Sequence, residues 1–224
     1  MAPFFSHLLV CGDITGTHED PSETTDLADF RKALRDAGFD NRKKATVIPG
    51  NHDYLHTGVF HRKVSKETYG RKMQRLLSGR RSGRRYPTYQ LLNGIAIVGI
   101  DTIAETVLPK AHLGGLAKDE LDDLSRILAL PSVSSRRVVL AMHHGPYGAL
   151  DHHIYNHDLL WEHIDKKLVD LIVFGHDHSS YEEKFNGIPA LCVGGFMHDD
   201  GYALQVRTTA AGSLRWSWWK PKHW

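Results

Sequence analysis

Four short polar clusters hold the residues best suited to chemistry in this chain: Asp13, Asn51-His52-Asp53, His143-His144 and His176-Asp177-His178. Carboxylate, carboxamide oxygen and imidazole together suit divalent ions of intermediate hardness, such as Mn²⁺, Zn²⁺ or Fe. An oxygen cage for calcium does not need the histidines, and a structural zinc site usually shows cysteines. Histidine is also concentrated: eight of the 16 fall between His143 and His178, and imidazole is the commonest side-chain metal ligand. Each cluster has an ordinary explanation too. Asp13 after Gly12 suits a turn, Asn51 suits an Asx-turn, and paired histidines can close a strand as satisfied polar groups. The joint pattern outweighs these.

That pattern becomes visible in the elements that precede the clusters. Leu8 to Cys11 is a short apolar strand before Asp13, and Ala45 to Ile48 a second before Asn51. Val138 to Met142 precedes His143, and Leu171 to Phe174 precedes His176. These last two runs are continuously apolar, as strands covered on both faces are. In layered α/β proteins ligands bind beyond the carboxyl ends of strands, so four such ends can converge on one crevice. Gly12, Gly50 and Gly175 precede the clusters and permit the sharp turns required.

Helical spacing of apolar residues predicts helices over Asp26 to Ala37, stopped by Gly38, and over Leu116 to Leu130, closed by Pro131. A third is expected over Leu159 to Leu168 and a basic one from Val59 to Leu77. Asn93-Gly94 between Thr88 to Leu92 and Ile95 to Ile100 signals a hairpin. From Ile188 the pattern is β: Ala190 to Val193, Tyr202 to Val206 and Leu214 to Trp219. Trp216 and Trp218 alternate as a terminal strand packing one face would. No repeat or linker divides the chain, so residues 1–224 are expected to form one domain of the α/β class, with helices on both sides of packed sheets.

Composition sets outer limits. With 41% hydrophobic and 24% charged residues, the chain reads as a soluble globular protein. No apolar run approaches the ~20 residues needed to cross a bilayer, so no membrane partner is expected. Two cysteines, Cys11 and Cys192, exclude a disulfide framework and point to the cytoplasm. Residues 61–85 hold ten Lys or Arg and one acid, Glu67, within a net charge of +2 overall. A nucleic-acid binder usually spreads its basic footprint more widely, so nucleic acid is not the favoured partner.

The segments Gly12-Asp13, Gly50-Asn51-His52-Asp53, Met142-His143-His144-Gly145-Pro146 and Gly175-His176-Asp177-His178 resemble the calcineurin-like metallophosphoesterase superfamily. Ile100-Asp101 through Leu113-Gly114-Gly115-Leu116 is similar to the branch with class III cyclic nucleotide phosphodiesterases. The resemblance implies a four-layer α/β/β/α sandwich and hydrolysis of a phosphodiester or phosphomonoester by a metal-bound hydroxide. It implies two divalent ions (Mn, Fe or Zn) about 3.5–4 Å apart, bridged by Asp13. Asn51, His143 and His176 would complete one ion's shell, and His178 would belong to the other. His143 follows its strand directly and is the expected ligand, with His144 left to touch substrate. His52 would protonate the leaving group or stabilise the phosphate, with Asp53 orienting its ring.

One departure from the family pattern stands out. The family carries Asp-x-His on a first strand, supplying two ligands to the ion that His178 serves. No Asp-x-His precedes Asp13. The expectation is therefore that the chain lacks its natural first strand and helix, a segment of about 30 residues or more, and that one ion site is incomplete. A nuclease of the same fold is the alternative enzyme, recognisable by steep salt dependence. A catalytically weakened one-metal binding module is the alternative outside enzymes. His152, His153 and His157 are expected in a loop over the site, and His18 is a weaker ligand candidate.

Overall fold

Why the apolar runs become strands is clearest from where they lie. The computed structural model describes residues 5–14, 26–40, 43–54, 86–103, 113–146, 153–195 and 203–220. The expected basic helix from 59 to 77, the basic loop after it, His18 and His152 lie outside them. The chain opens with β1 (Leu8–Cys11), α1 (Asp26–Asp36), β2 (Ala45–Ile48) and a single helical turn, α2 (Asn51–Tyr54). Then come β3 (Thr88–Leu91), β4 (Ile95–Gly99), α3 (Lys118–Leu128), a turn α4 (Pro131–Ser134) and β5 (Arg137–Ala141). Next are α5 (His157–His163), β6 (Leu171–Phe174), β7 (Tyr181–Phe185), β8 (Ile188–Cys192), β9 (Ala203–Thr208) and β10 (Leu214–Trp219).

Six strands form one sheet in the order β3-β4-β5-β6-β8-β7. β4, β5, β6 and β8 run parallel, and β3 and β7 close the edges antiparallel. One face, through Val98, Leu140, Ile172 and Ala190, packs on the Leu121-Leu124-Leu128 stripe of α3 and on Leu160 of α5. The opposite face, through Val139, Leu171, Val173 and Leu191, meets a second β layer. That layer holds two separate pairs, parallel β1–β2 and antiparallel β9–β10. Outside β1–β2 lies α1, joined by Leu34 and Phe39 to Leu8 and Ala45. The result is the four-layer α/β/β/α arrangement. Among the described residues β1 takes its ladder from β2 alone.

Trp216 and Trp218 share one side of β10, and both indole N–H groups donate to Glu182 Oε1 at 3.0 Å. β7 was not expected. Its sequence Tyr-Glu-Glu-Lys-Phe carries three exposed charged side chains in the middle, as protected sheet edges do. α5 is shorter than expected and starts two residues earlier, at His157. Its end at His163 releases Ile164 to extended backbone and into the core. No helix among the described residues is long and apolar enough to cross a membrane.

Candidate metal centre

The strand ends do meet. β1 ends into Gly12 and Asp13, whose backbones have φ of 98° and 54°. This left-handed turn brings the Asp13 side chain against the turn after β2. There Gly50 is obligatory, since a Cβ on it would lie 2.0 Å from Asp13 Oδ1. A Cβ on Gly12 would lie 2.4 Å from His143 Nδ1. Glycine is thus selected here by close approach as much as by backbone freedom.

Asp13 Oδ1 accepts the His52 amide at 3.1 Å, while Oδ2 lies 3.3 Å from His143 Nε2. The same Nε2 is 2.9 Å from Asn51 Oδ1 and 3.1 Å from His176 Nδ1. Asp13, Asn51, His143 and His176 are thus brought together, three of them around one imidazole nitrogen. His143 Nδ1 is 2.6 Å from the carbonyl oxygen of Cys11. A carbonyl only accepts, so Nδ1 carries the hydrogen, and a neutral His143 then presents a lone pair at Nε2. Metal-ligating histidines are commonly oriented this way by a carbonyl. A lone pair, a carboxylate oxygen and a carboxamide oxygen crowded together repel unless a cation sits among them. The donor set therefore fits a divalent ion. Burial opposes a charge on His143, but the Asp13 carboxylate outweighs it and raises the pKa. Burial likewise pushes Asp13 upward, yet His143 and His52 pull it down to about 2.

His144 is fully buried, and its ring lies 4.4 Å from that of His176 and 4.9 Å from that of His143. Possible ligand atoms of His143, His144 and His176 all fall within 4.8 Å of one another. His178 is different: it stands exposed, two residues beyond His176. Among the described residues, the non-glycine positions with positive φ are Asp13, His176, His178 and Asn186. Such backbone costs about 1–2 kcal/mol per residue and gathers at functional sites. Three of the four are candidate ligands; Asn186 belongs to a hairpin turn.

Asp53 has a role that the sequence reading did not foresee. Its fully buried carboxylate accepts three main-chain amides: Asp13 at 3.0 Å, Ile14 at 2.9 Å and Gly50 at 2.8 Å. It ties the turns after β1 and β2 together. The Gly50-x-x-Asp53 spacing was a usable signal, because Asp often closes such local turns through its side chain. Tyr181, also missed, donates its hydroxyl to Asp177 Oδ2 and so anchors the His176-Asp177-His178 turn from β7. The Cys11 carbonyl carried no signal, being a backbone atom. The rings of His153 and His157 meet edge-on with centroids 5.7 Å apart, and His153 bridges to Gly145.

The family described as calcineurin-like phosphoesterase matches residues 5–180. No curated protein sequence matches. Among solved structures, a dimetal phosphatase from Danio rerio superposes with a TM-score of 0.58 at 14% identity, covering 86% of this chain and 73% of that one. A protein described as a 5′-nucleotidase from Staphylococcus aureus gives 0.52 at 14% identity, covering 93% of this chain but 43% of that one. At such identities the likeness is one of fold.

Proposed function

The chain belongs to the calcineurin-like phosphoesterase family, and from that premise we propose that it is a metal-dependent hydrolase of phosphate esters. The observation that carries this reading is the crowd of electron-rich atoms at His143 Nε2, with Nδ1 turned away to a carbonyl. Asp13, Asn51, His143 and His176 would hold the first ion. His178, exposed two residues beyond His176, would serve a second, which Asp13 would share. Bound divalent ions supply positive charge that acidifies water and neutralises phosphoryl oxygens.

The remaining work falls to side chains. His52 follows the ligand Asn51, and its amide is fixed on Asp13. In this reading its ring protonates the departing oxygen, a task worth roughly 10²–10⁴ in rate for a poor leaving group. Asp53 holds the turns that carry both His52 and Asp13. His144 contacts a phosphoryl oxygen.

The test pairs metal analysis with a panel of aryl phosphodiesters and phosphomonoesters assayed with added Mn²⁺. The native chain should bind metal and hydrolyse at least one ester class. Asp13→Ala should lose both metal and activity. Hydrolysis that persists undiminished in Asp13→Ala would overturn the reading, and so would a metal-loaded native chain inert to every ester.

A further inference from the structure

We propose that Thr102 is a positioning residue that fixes His144 as a hydrogen-bond donor and thereby excludes it from the metal shell. This inference rests on the phosphoesterase reading for its purpose, though not for its geometry. Thr102 lies three residues beyond β4 and is fully buried, as is His144. Its Oγ1 accepts the His144 main-chain amide at 3.1 Å and lies 2.9 Å from His144 Nδ1. A threonine hydroxyl has one proton to give. Among the described residues its partners are these two atoms of His144, and the amide nitrogen is itself a donor. The hydroxyl proton therefore goes to Nδ1. Were Nδ1 protonated instead, the Thr102 proton would be buried with no acceptor, which native interiors avoid.

With Nδ1 accepting, the proton of a neutral His144 sits on Nε2. An N–H cannot ligate a cation, but it can donate to an anionic oxygen. The ring cannot swing out of this arrangement. A Cβ at Gly114 would come within 2.7 Å of His144 Cβ and Cγ, so the segment at Gly114 closes that side. Gly114 is itself held by bridges to Ile103 and Ile154, and the Gly115 amide donates to the Thr102 carbonyl at 2.8 Å. Thr102 and the Gly114 segment thus clamp His144 with its donor beside the His143–His176 pair. Of the three histidines close enough to share an ion, two are ligands and one is a donor to the phosphoryl group.

The deciding measurement is the tautomer of His144 in zinc-loaded, ¹⁵N-histidine-labelled protein, read from long-range proton–nitrogen correlations at fixed pH. The resonances are assigned by their disappearance in His144→Gln. The Nε2-protonated form is expected in the native chain and in Thr102→Ser, with a loss of that preference in Thr102→Val. Thr102→Val should keep its zinc, while kcat/KM falls roughly ten- to hundredfold, the loss of one hydrogen bond to a charged oxygen. Thr102→Ser should recover most of it. Finding Nδ1 protonated in the native chain overturns the inference, whether or not Thr102→Val folds. Zinc released from Thr102→Val while its fold persists overturns it too. A native chain that hydrolyses nothing, yet shows the Nε2 proton, overturns the phosphoesterase reading and leaves the Thr102 assignment standing.

Discussion

His143, His144 and His176 stand just beyond the ends of β5 and β6, neighbouring parallel strands inside a six-stranded sheet. Asp13, Asn51 and Asp53 stand just beyond the ends of β1 and β2, a pair whose ladder is four residues long. Every residue of β6 is buried, whereas every residue of β1 is only half-buried. The histidine half is thus positioned by a large core. In the carboxylate half β2 is largely buried but β1 is not, and β1 is tied down by polar bonds as well, through Asp53 within its own layer and through His143 Nδ1 to Cys11 across the layers. An ion bound between them would join a stiff support to a weaker one, so its binding energy would be expressed mainly as stability of β1–β2.

Asp53→Ala should show the largest effect. It removes three amide-to-carboxylate bonds from buried groups, each worth about 1.5–3 kcal/mol. The two turns carrying Asp13 and Asn51 should lose their shape, and with it the metal. Hydrogen exchange of the β5 and β6 amides should stay slow. A variant retaining stoichiometric metal would break the comparison, because the carboxylate half would then be holding itself by other means.

Leu140→Ala probes the opposite side. Leu140 is fully buried between β5 and α3, so the cavity should cost about 2–5 kcal/mol in global stability. Melting temperature should drop while the folded fraction still binds metal, since no bond at the centre is touched. Leu9→Ala in half-buried β1 should do the reverse, with a smaller melting shift and a weaker ion. If both variants lower metal affinity equally, the two supports are not distinct.

The same contrast governs what could be read before any coordinates. Leu8–Cys11, Ala45–Ile48, Leu171–Phe174 and Leu214–Trp219 have the bounds their apolar patterns indicate, because burial of those very side chains is what makes the strands. β7 escaped because a charged edge strand is held by its partner's backbone and shows no apolar alternation. Its turn, Asn186-Gly187, was as plain as Asn93-Gly94, and both residues have positive φ. At the centre, the clusters were legible from residue type and order. The bonds that aim them were not. Asp53 to amides, Thr102 to His144 and Cys11 to His143 depend on which turns face each other across two layers, and local spacing holds only part of that.

Gly38→Ala is the mildest way to sharpen the comparison. α1 ends in a Schellman motif: the Phe39 amide donates to Leu34 at 2.7 Å and the Gly38 amide to Arg35 at 2.9 Å. Gly38 has φ of 77°, and a Cβ there would meet nothing within 4 Å. The cost of alanine is therefore conformational alone, about 1–2 kcal/mol. It lands on the weaker support, because Leu34 and Phe39 are the residues through which α1 covers Leu8 of β1 and Ala45 of β2. If β1–β2 opens independently of the large sheet, its amides should exchange roughly five to thirty times faster in this variant. Those of β5 and β6 should be unchanged, and metal affinity should fall by no more than the same factor. Equal acceleration in both places would mean that the four layers open as one cooperative unit. The half-buried state of β1 would then be a property of its surface and not of its stability.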